Sequence, residues 1–150
     1  MTRRRHRGDT MKLAPALALA LAAAVLPAGG ARADEAAGKA AVAAADAWLA
    51  LVDAGRYTES WDEAARFFRD AVGQADWEKA LRGTRAPLGK LVSRKVSSRT
   101  YTESLPGAPD GRYVVIRYET AFQNKKAAVE TVTPMLEPDG RWRVSGYFVK

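Results

Sequence analysis

The stretch RYVVIRYETAFQNKKAAVETVTPML, residues 112–136, decides the fold. From Arg112 to Phe122 apolar and polar side chains alternate, and Val114, Ile116, Tyr118 and Phe122 fall on one face of a half-buried strand. Asn124-Lys125 makes a turn, and Ala127 to Leu136 returns antiparallel. Glu137-Pro138-Asp139-Gly140 is a second turn and leads into Trp142 to Val149, where Trp142, Val144 and Phe148 are expected to share a face. Upstream, Leu91 to Thr102 mixes Val, Ser, Thr and Arg and makes a fourth strand candidate. It ends at the turn-rich segment from Leu105 to Gly111. Short loops between consecutive strands predict an antiparallel meander.

Ahead of these strands the period changes from two to between three and four. Val42, Ala45, Trp48, Leu49 and Val52 recur on one helical face, with Gly55 as a C′ residue where a left-handed backbone costs little. Thr58 is the expected N-cap of a second helix carrying Trp61, Ala64, Phe67, Phe68 and Val72. A third, from Ala75 to Leu81, turns Trp77 and Leu81 inward. Arg85-Ala86-Pro87-Leu88-Gly89 connects it to the strands, because Pro87 biases Ala86 away from helix. Helices followed by an antiparallel sheet predict an α+β domain. N-terminal helices packed on one face of a curved four-stranded antiparallel sheet is the layout of the NTF2-like, or cystatin-like, cone. A fold of that kind is expected to have an off-centre pocket.

The first 33 residues have a different character. Arg3, Arg4, Arg5, Arg7 and Lys12 precede an apolar run from Leu13 to Leu26. Pro27, Gly29 and Gly30 break that run ahead of Ala31-Arg32-Ala33. This is the order of a secretory signal peptide, with a charged region, an apolar region and a small-x-small cleavage site. Fourteen apolar residues are too few for a hydrocarbon core that needs about 20, so an uncleaved anchor helix is the lesser reading. Cleavage is expected after Ala33, leaving one domain, 34–150, in the periplasm or secreted. Met11-Lys12 would itself make a compact charged region, so translation from Met1 or from Met11 is compatible with export.

Removing that segment changes what the composition means. The whole chain carries a formal charge of +7, but six Lys/Arg and one acid lie in the first 33 residues. The remainder has 18 basic and 16 acidic side chains, too even a balance to suggest nucleic acid as a partner. The chain has no cysteine, which excludes disulfides and a cysteine-linked lipid anchor, and its single histidine is His6. Beyond residue 33, Cys nucleophiles, Ser-His-Asp triads, His bases and the usual zinc, copper or haem ligand sets are therefore excluded. No cofactor and no metal is expected.

Several strings resemble the domain-of-unknown-function family 4019. They are Trp48-Leu49-x-Leu51-Val52-Asp53-x-Gly55-x-Tyr57, Ser60-Trp61, Arg85-Ala86-Pro87-Leu88-Gly89, the loop from Ser104 to Gly111, Glu130-Thr131-Val132-Thr133 and Asp139-Gly140-x-Trp142-Arg143-Val144-x-Gly146-Tyr147. The resemblance implies an exported bacterial domain. It brings no catalytic residues with it.

Read from the residues alone, the candidate pocket comprises Trp61, Arg85, Tyr118, Glu119, Glu130, Arg143 and Tyr147. Glu119 and Glu130 flank the Asn124-Lys125 turn and would lie nearly opposite each other in a tight hairpin, where paired carboxylates can divide acid and base roles. Alternation, however, puts Glu119 with Tyr113, Val115, Arg117 and Ala121, away from the apolar face, so the two acids would then face solvent. Trp48, Trp61, Trp77 and Trp142 offer an aromatic platform or, more simply, core. Arg85 and Arg143 either hold an anion bidentately or close structural ion pairs, with Asp53, Glu119 or Glu130 as partners. Tyr118 and Tyr147 could donate hydrogen bonds in a pocket. Arg94, Lys95 and Arg99 read as the solvated charges of an edge strand.

The leading expectation is a non-enzymatic module that binds a small ligand or an envelope protein. The alternative is a cofactor-free isomerase or hydratase using Glu119 or Glu130 with Tyr118 or Tyr147. A third is an assembly role through the edge strand.

Overall fold

The structure, a computed structural model, describes residues 29–150. The residues assigned to the charged and apolar parts of the export signal lie outside the described region. Four helices precede four strands: α1 (Gly29–Asp53), α2 (Tyr57–Asp62), α3 (Arg66–Ala71), α4 (Gln74–Thr84), then β1 (Leu91–Thr102), β2 (Tyr113–Phe122), β3 (Lys125–Leu136) and β4 (Trp142–Val149). The strands form one open antiparallel sheet in the order β1-β2-β3-β4, as the short turns require. The domain is α+β.

Helix α1 crosses all four strands on one face. Ala37, Ala41, Ala45, Trp48, Leu49 and Val52 form its buried stripe at helical spacing. It begins at Gly29, so Gly29 and Gly30, which the sequence suggested as breaks, are helical, and the helix runs on through the expected cleavage site at Ala31-Arg32-Ala33. It stops where expected. Gly55 takes φ +72°, its N–H reaches the Val52 carbonyl at 3.0 Å, and Arg56 N–H reaches Leu51 at 2.9 Å. This is a Schellman closure, and it leaves Asp53 in the last turn above the sheet.

The expected second helix is in fact two. Ala64 and Ala65 are fully buried, and Ala65 N–H donates to the Val144 carbonyl on the edge of β4 at 2.8 Å. The small side chains let the backbone approach the strand closely there, and the chain leaves helical geometry between α2 and α3 at this contact. Thr58 does not cap α2; Arg56 occupies that position, and the Thr58 hydroxyl donates instead to Glu78 on α4 at 2.5 Å.

The inner face of β2 is Val114, Ile116, Tyr118, Thr120 and Phe122, the alternation read from sequence. In β4 the expectation fails. Trp142 and Val144 face the helices, but Phe148 is half-exposed on the outer face and Tyr147 points inward. A register shift between Val132 and Pro134 inverts the alternation, so Tyr147 pairs with inward Val132 and Phe148 with Thr131. Among the described residues no helix is long and apolar enough to cross a membrane.

Candidate functional site

Glu130 is the centre of the site. Its side chain is wholly buried on the inner face of β3, opposite Tyr118. One carboxylate oxygen accepts from Arg94 Nε and from the Thr120 hydroxyl, both at 2.7 Å, and the other accepts from the Tyr147 hydroxyl at 2.5 Å. Arg94 reaches inward from β1 and also grips Asp53 at the end of α1 with two nitrogens, at 2.7 and 2.9 Å. Arg85, 4 % exposed, donates to the same Asp53 carboxylate at 2.9 Å and to the Gly89 carbonyl at 2.8 Å. Its guanidinium carbon lies 4.1 Å from the centroid of the Phe122 ring, while its buried Nε has no hydrogen-bond partner among the described residues. Two guanidiniums thus face two carboxylates in one continuous chain, Arg85–Asp53–Arg94–Glu130, as buried charges must be arranged to survive desolvation.

The electrostatics follow from this chain. Burial alone would raise the Asp53 carboxyl, but Arg94 and Arg85 outweigh it and hold the group below its ordinary value. Burial likewise opposes the charge on Arg94, and the bonds to Asp53 and Glu130 reverse that and push it up. Burial first, then the neighbouring Glu130, raises Tyr147 far beyond the ordinary phenol range, which keeps its hydroxyl a donor. Tyr118 is raised in the same sense by burial and by its bond to Asp46 at 2.8 Å.

Around this network the domain is full. Trp48 and Trp77 have ring centroids 5.9 Å apart, Tyr147 packs edge-on against Trp48 at 5.4 Å, and Phe68 closes on Trp77 at 4.9 Å. Both indoles are satisfied by Ser60, Trp48 through the backbone carbonyl at 2.7 Å and Trp77 through the hydroxyl at 3.0 Å. The surface clefts on the described residues include five of about 280–460 Å³, and neither Glu130 nor Tyr147 lines any of these. A general base needs a lone pair free for a substrate proton and space beside it. Glu130 has neither.

The candidates read from sequence divide into two sets. Arg85, Glu130 and Tyr147 come together, with Tyr118 adjacent on the strand pair. Trp61, Glu119 and Arg143 do not. Trp61 donates to the Val72 carbonyl at 2.7 Å and ties α2 to the end of α3. Glu119 faces outward and pairs with Lys95 at 2.9 Å, with more than half of each side chain exposed. Arg143 binds Glu137 and Asp139 at the β3–β4 turn, at 2.8–2.9 Å, which holds the Asp139 carboxyl down at about 2. The expected opposition of Glu119 and Glu130 fails because the hairpin turns one residue early, at Gln123-Asn124 with Phe122 paired to Lys125, and even after the register shift between Thr120 and Phe122 Glu119 lies against Val129.

The larger correction concerns Arg94. It is not a solvated edge charge but the bridge of the network, and only 11 % of its side chain is exposed. The expectation that both acids face solvent fails for Glu130 alone. Thr120, absent from the candidates read from sequence, interrupts an otherwise apolar inner face and joins the network. Among the described residues no group of three or more His, Cys, Asp or Glu side chains is placed to hold a metal ion.

The sequence model of a family described as protein of unknown function, DUF4019, matches residues 44–147. The chain belongs to the DUF4019 family. The matched span opens within α1 and closes within β4, so it holds Asp53, Arg85, Arg94, Thr120, Glu130 and Tyr147, every member of the network in this DUF4019 chain. Comparison with curated proteins and with solved structures found no match.

Proposed function

We propose that this DUF4019 protein is an exported, non-enzymatic binding module of the cell envelope, whose ligand or protein partner is met at the surface and not in the interior. The observation that carries the reading is Glu130: wholly buried, with three hydrogen bonds on its two oxygens and a counter-charge of its own. The order of helices and sheet supports an NTF2-like or cystatin-like cone. In such a cone Trp48, Trp77 and Tyr147 occupy the space that an enzyme of that shape would leave for substrate. The basic segment, apolar run and Ala31-Arg32-Ala33 support export.

A thermal-shift screen against envelope metabolites, run on the native chain and on Tyr147→Phe, tests the reading. A ligand at 100 times its Kd adds about 2.7 kcal/mol to stability. That increment should be equal in both proteins, because the Tyr147 hydroxyl is outside the binding surface. A metabolite that is turned over by the native chain and not by Tyr147→Phe overturns the proposal in favour of a Glu/Tyr enzyme.

A further inference from the structure

One surface cleft has a specific chemistry. It is about 360 Å³ and lies where α1, the end of α2 and the start of β4 meet. Its floor is apolar: Trp48 and Leu51 from α1, Trp142 and Val144 from β4. Two carboxylates and two guanidiniums reach its walls, but half of these are already engaged. Glu59 is held by Arg56, and Arg143 by Glu137 and Asp139. Glu63, which caps the C-terminus of α2, and Arg141, just ahead of β4, are lining residues with no side-chain ion pair or hydrogen bond among the described residues. They come from different walls, and they are not within ion-pair distance of one another.

An unpaired anion and an unpaired cation flanking an aromatic floor define what fits. The occupant must carry both signs, with an apolar body between them. An anionic lipid surface would leave Glu63 repelled, and a neutral sugar would leave both charges idle. A free amino acid carries both charges but covers less of the apolar floor than a chain of two or three residues. Two or three residues span more, at up to about 3.6 Å per residue, and the volume lies near the lower end of small-ligand sites, roughly 300–1,000 Å³.

We propose that this cleft binds a short peptide with free termini, its ammonium on Glu63, its carboxylate on Arg141 and an apolar side chain against Trp142. The proposal deepens the surface-binding reading and rests on it. Arginine suits the carboxylate because its planar fork can donate two parallel bonds.

The test is titration of the protein with the tripeptide Ala-Phe-Ala, followed by amide and indole NMR signals, with Trp142 assigned through Trp142→Phe. Binding should shift the Trp142 indole signal. N-acetylation of the peptide should weaken binding about tenfold, as should Glu63→Gln, and the two together should do no more than either alone. C-amidation and Arg141→Gln should behave as a second such pair. Both positions are exposed, so neither variant should disturb folding, and unchanged spectra elsewhere will show it. Equal binding of blocked and free peptide, or no shift at Trp142 at millimolar peptide, overturns the proposal. Shifts confined to another surface overturn this site and leave the binding-module reading standing. Shifts centred on Glu130 and Tyr147 overturn both.

Discussion

Glu130→Gln is the substitution that most directly challenges the closed network. The glutamine is nearly isosteric, so no cavity forms and the cost is electrostatic. Its remaining carbonyl oxygen can still accept from Arg94 or Thr120. Its amide group replaces the charged oxygen that accepts from Tyr147 at 2.5 Å, so the Tyr147 hydroxyl loses its anionic acceptor and must turn to accept from the amide. Arg94, with 11 % of its side chain exposed, meanwhile loses one of its two counter-charges. A hydrogen bond to a charged group contributes about 1.5–3 kcal/mol. One such bond is lost and a second weakened, so the sum is about 3 kcal/mol, the lower end of the 3–5 kcal/mol range for breaking a buried pair. With a urea m-value of about 1.5 kcal/mol/M, the unfolding midpoint falls by about 2 M. Tryptophan fluorescence is a local probe of this region, because Trp48 and Trp77 pack on Tyr147. A double-mutant cycle with Arg94→Met should show coupling of at least ~1.5 kcal/mol, the mark of residues in one network. If Glu130→Gln lies within about 0.5 kcal/mol of the native protein, or the cycle is additive, the network does not hold the domain together.

Other perturbations separate the network from its surroundings. Glu119→Gln should cost less than about 0.5 kcal/mol in the same urea assay, because its pair with Lys95 is exposed; a loss above about 1 kcal/mol would mean the outer face is not open. Asp53 has a lowered carboxyl in the folded state, so its contribution is fully present above the unfolded value of about 3.9 and is lost as pH falls through the folded value. The stability gap between the native chain and Asp53→Asn should therefore narrow as urea melts move from about pH 6 to about pH 3, and a widening gap would contradict the assignment. Gly89→Ala should cost roughly 2 kcal/mol, more than Gly55→Ala at roughly 1 kcal/mol. Both glycines have positive φ, but only at Gly89 would the new methyl meet a neighbour, Gln123, within 3.0 Å. Equal thermal losses in the two variants would show that backbone strain alone matters. Amino-terminal sequencing of protein recovered from outside the cytoplasm should read from Asp34, and recovery of an intact amino terminus there would refute cleavage after Ala33.

Much of the architecture was legible because it rests on short-range rules. Alternation through Val114, Ile116, Tyr118 and Phe122 identified the inner face of β2, and Gly55 marked the end of α1 correctly. The departures cluster where the strand pairing shifts. A hairpin that turns at Gln123-Asn124 instead of Asn124-Lys125 took Glu119 off Glu130, and a register shift between Val132 and Pro134 exchanged Tyr147 for Phe148 on the inner face. Nothing in a single strand announces a bulge, since it is set by the fit of one strand to the next. Arg94 was hidden for a related reason. Strand β1 has no apolar alternation of its own, and it carries two register shifts against β2. One signal was present all the same: Thr120 lies on the apolar face of β2, where a buried hydroxyl requires a partner. Glu130, between Ala128 and Val132, is the acceptor that alternation would have offered it.

That weakness of β1 explains why the domain keeps an ionic chain in its interior. Most residues of this strand are exposed, and Leu91, Val92 and Val96 lie open to solvent. An edge strand so poor in buried apolar surface gains little from the hydrophobic effect when it is set against α1. It is pinned there by charge instead: Arg94 to Asp53 and Glu130 near one end, and Arg99 to Glu35 at 2.7 Å further along. The two pins differ in burial, and so in strength. The Arg99 pair is partly exposed and screened, whereas Arg94 is enclosed and bonded on both sides. Glu130, which invited a catalytic reading, is therefore one of the two carboxylates through which Arg94 fastens the edge of the sheet to its helix, and that ion pairing is what its burial serves.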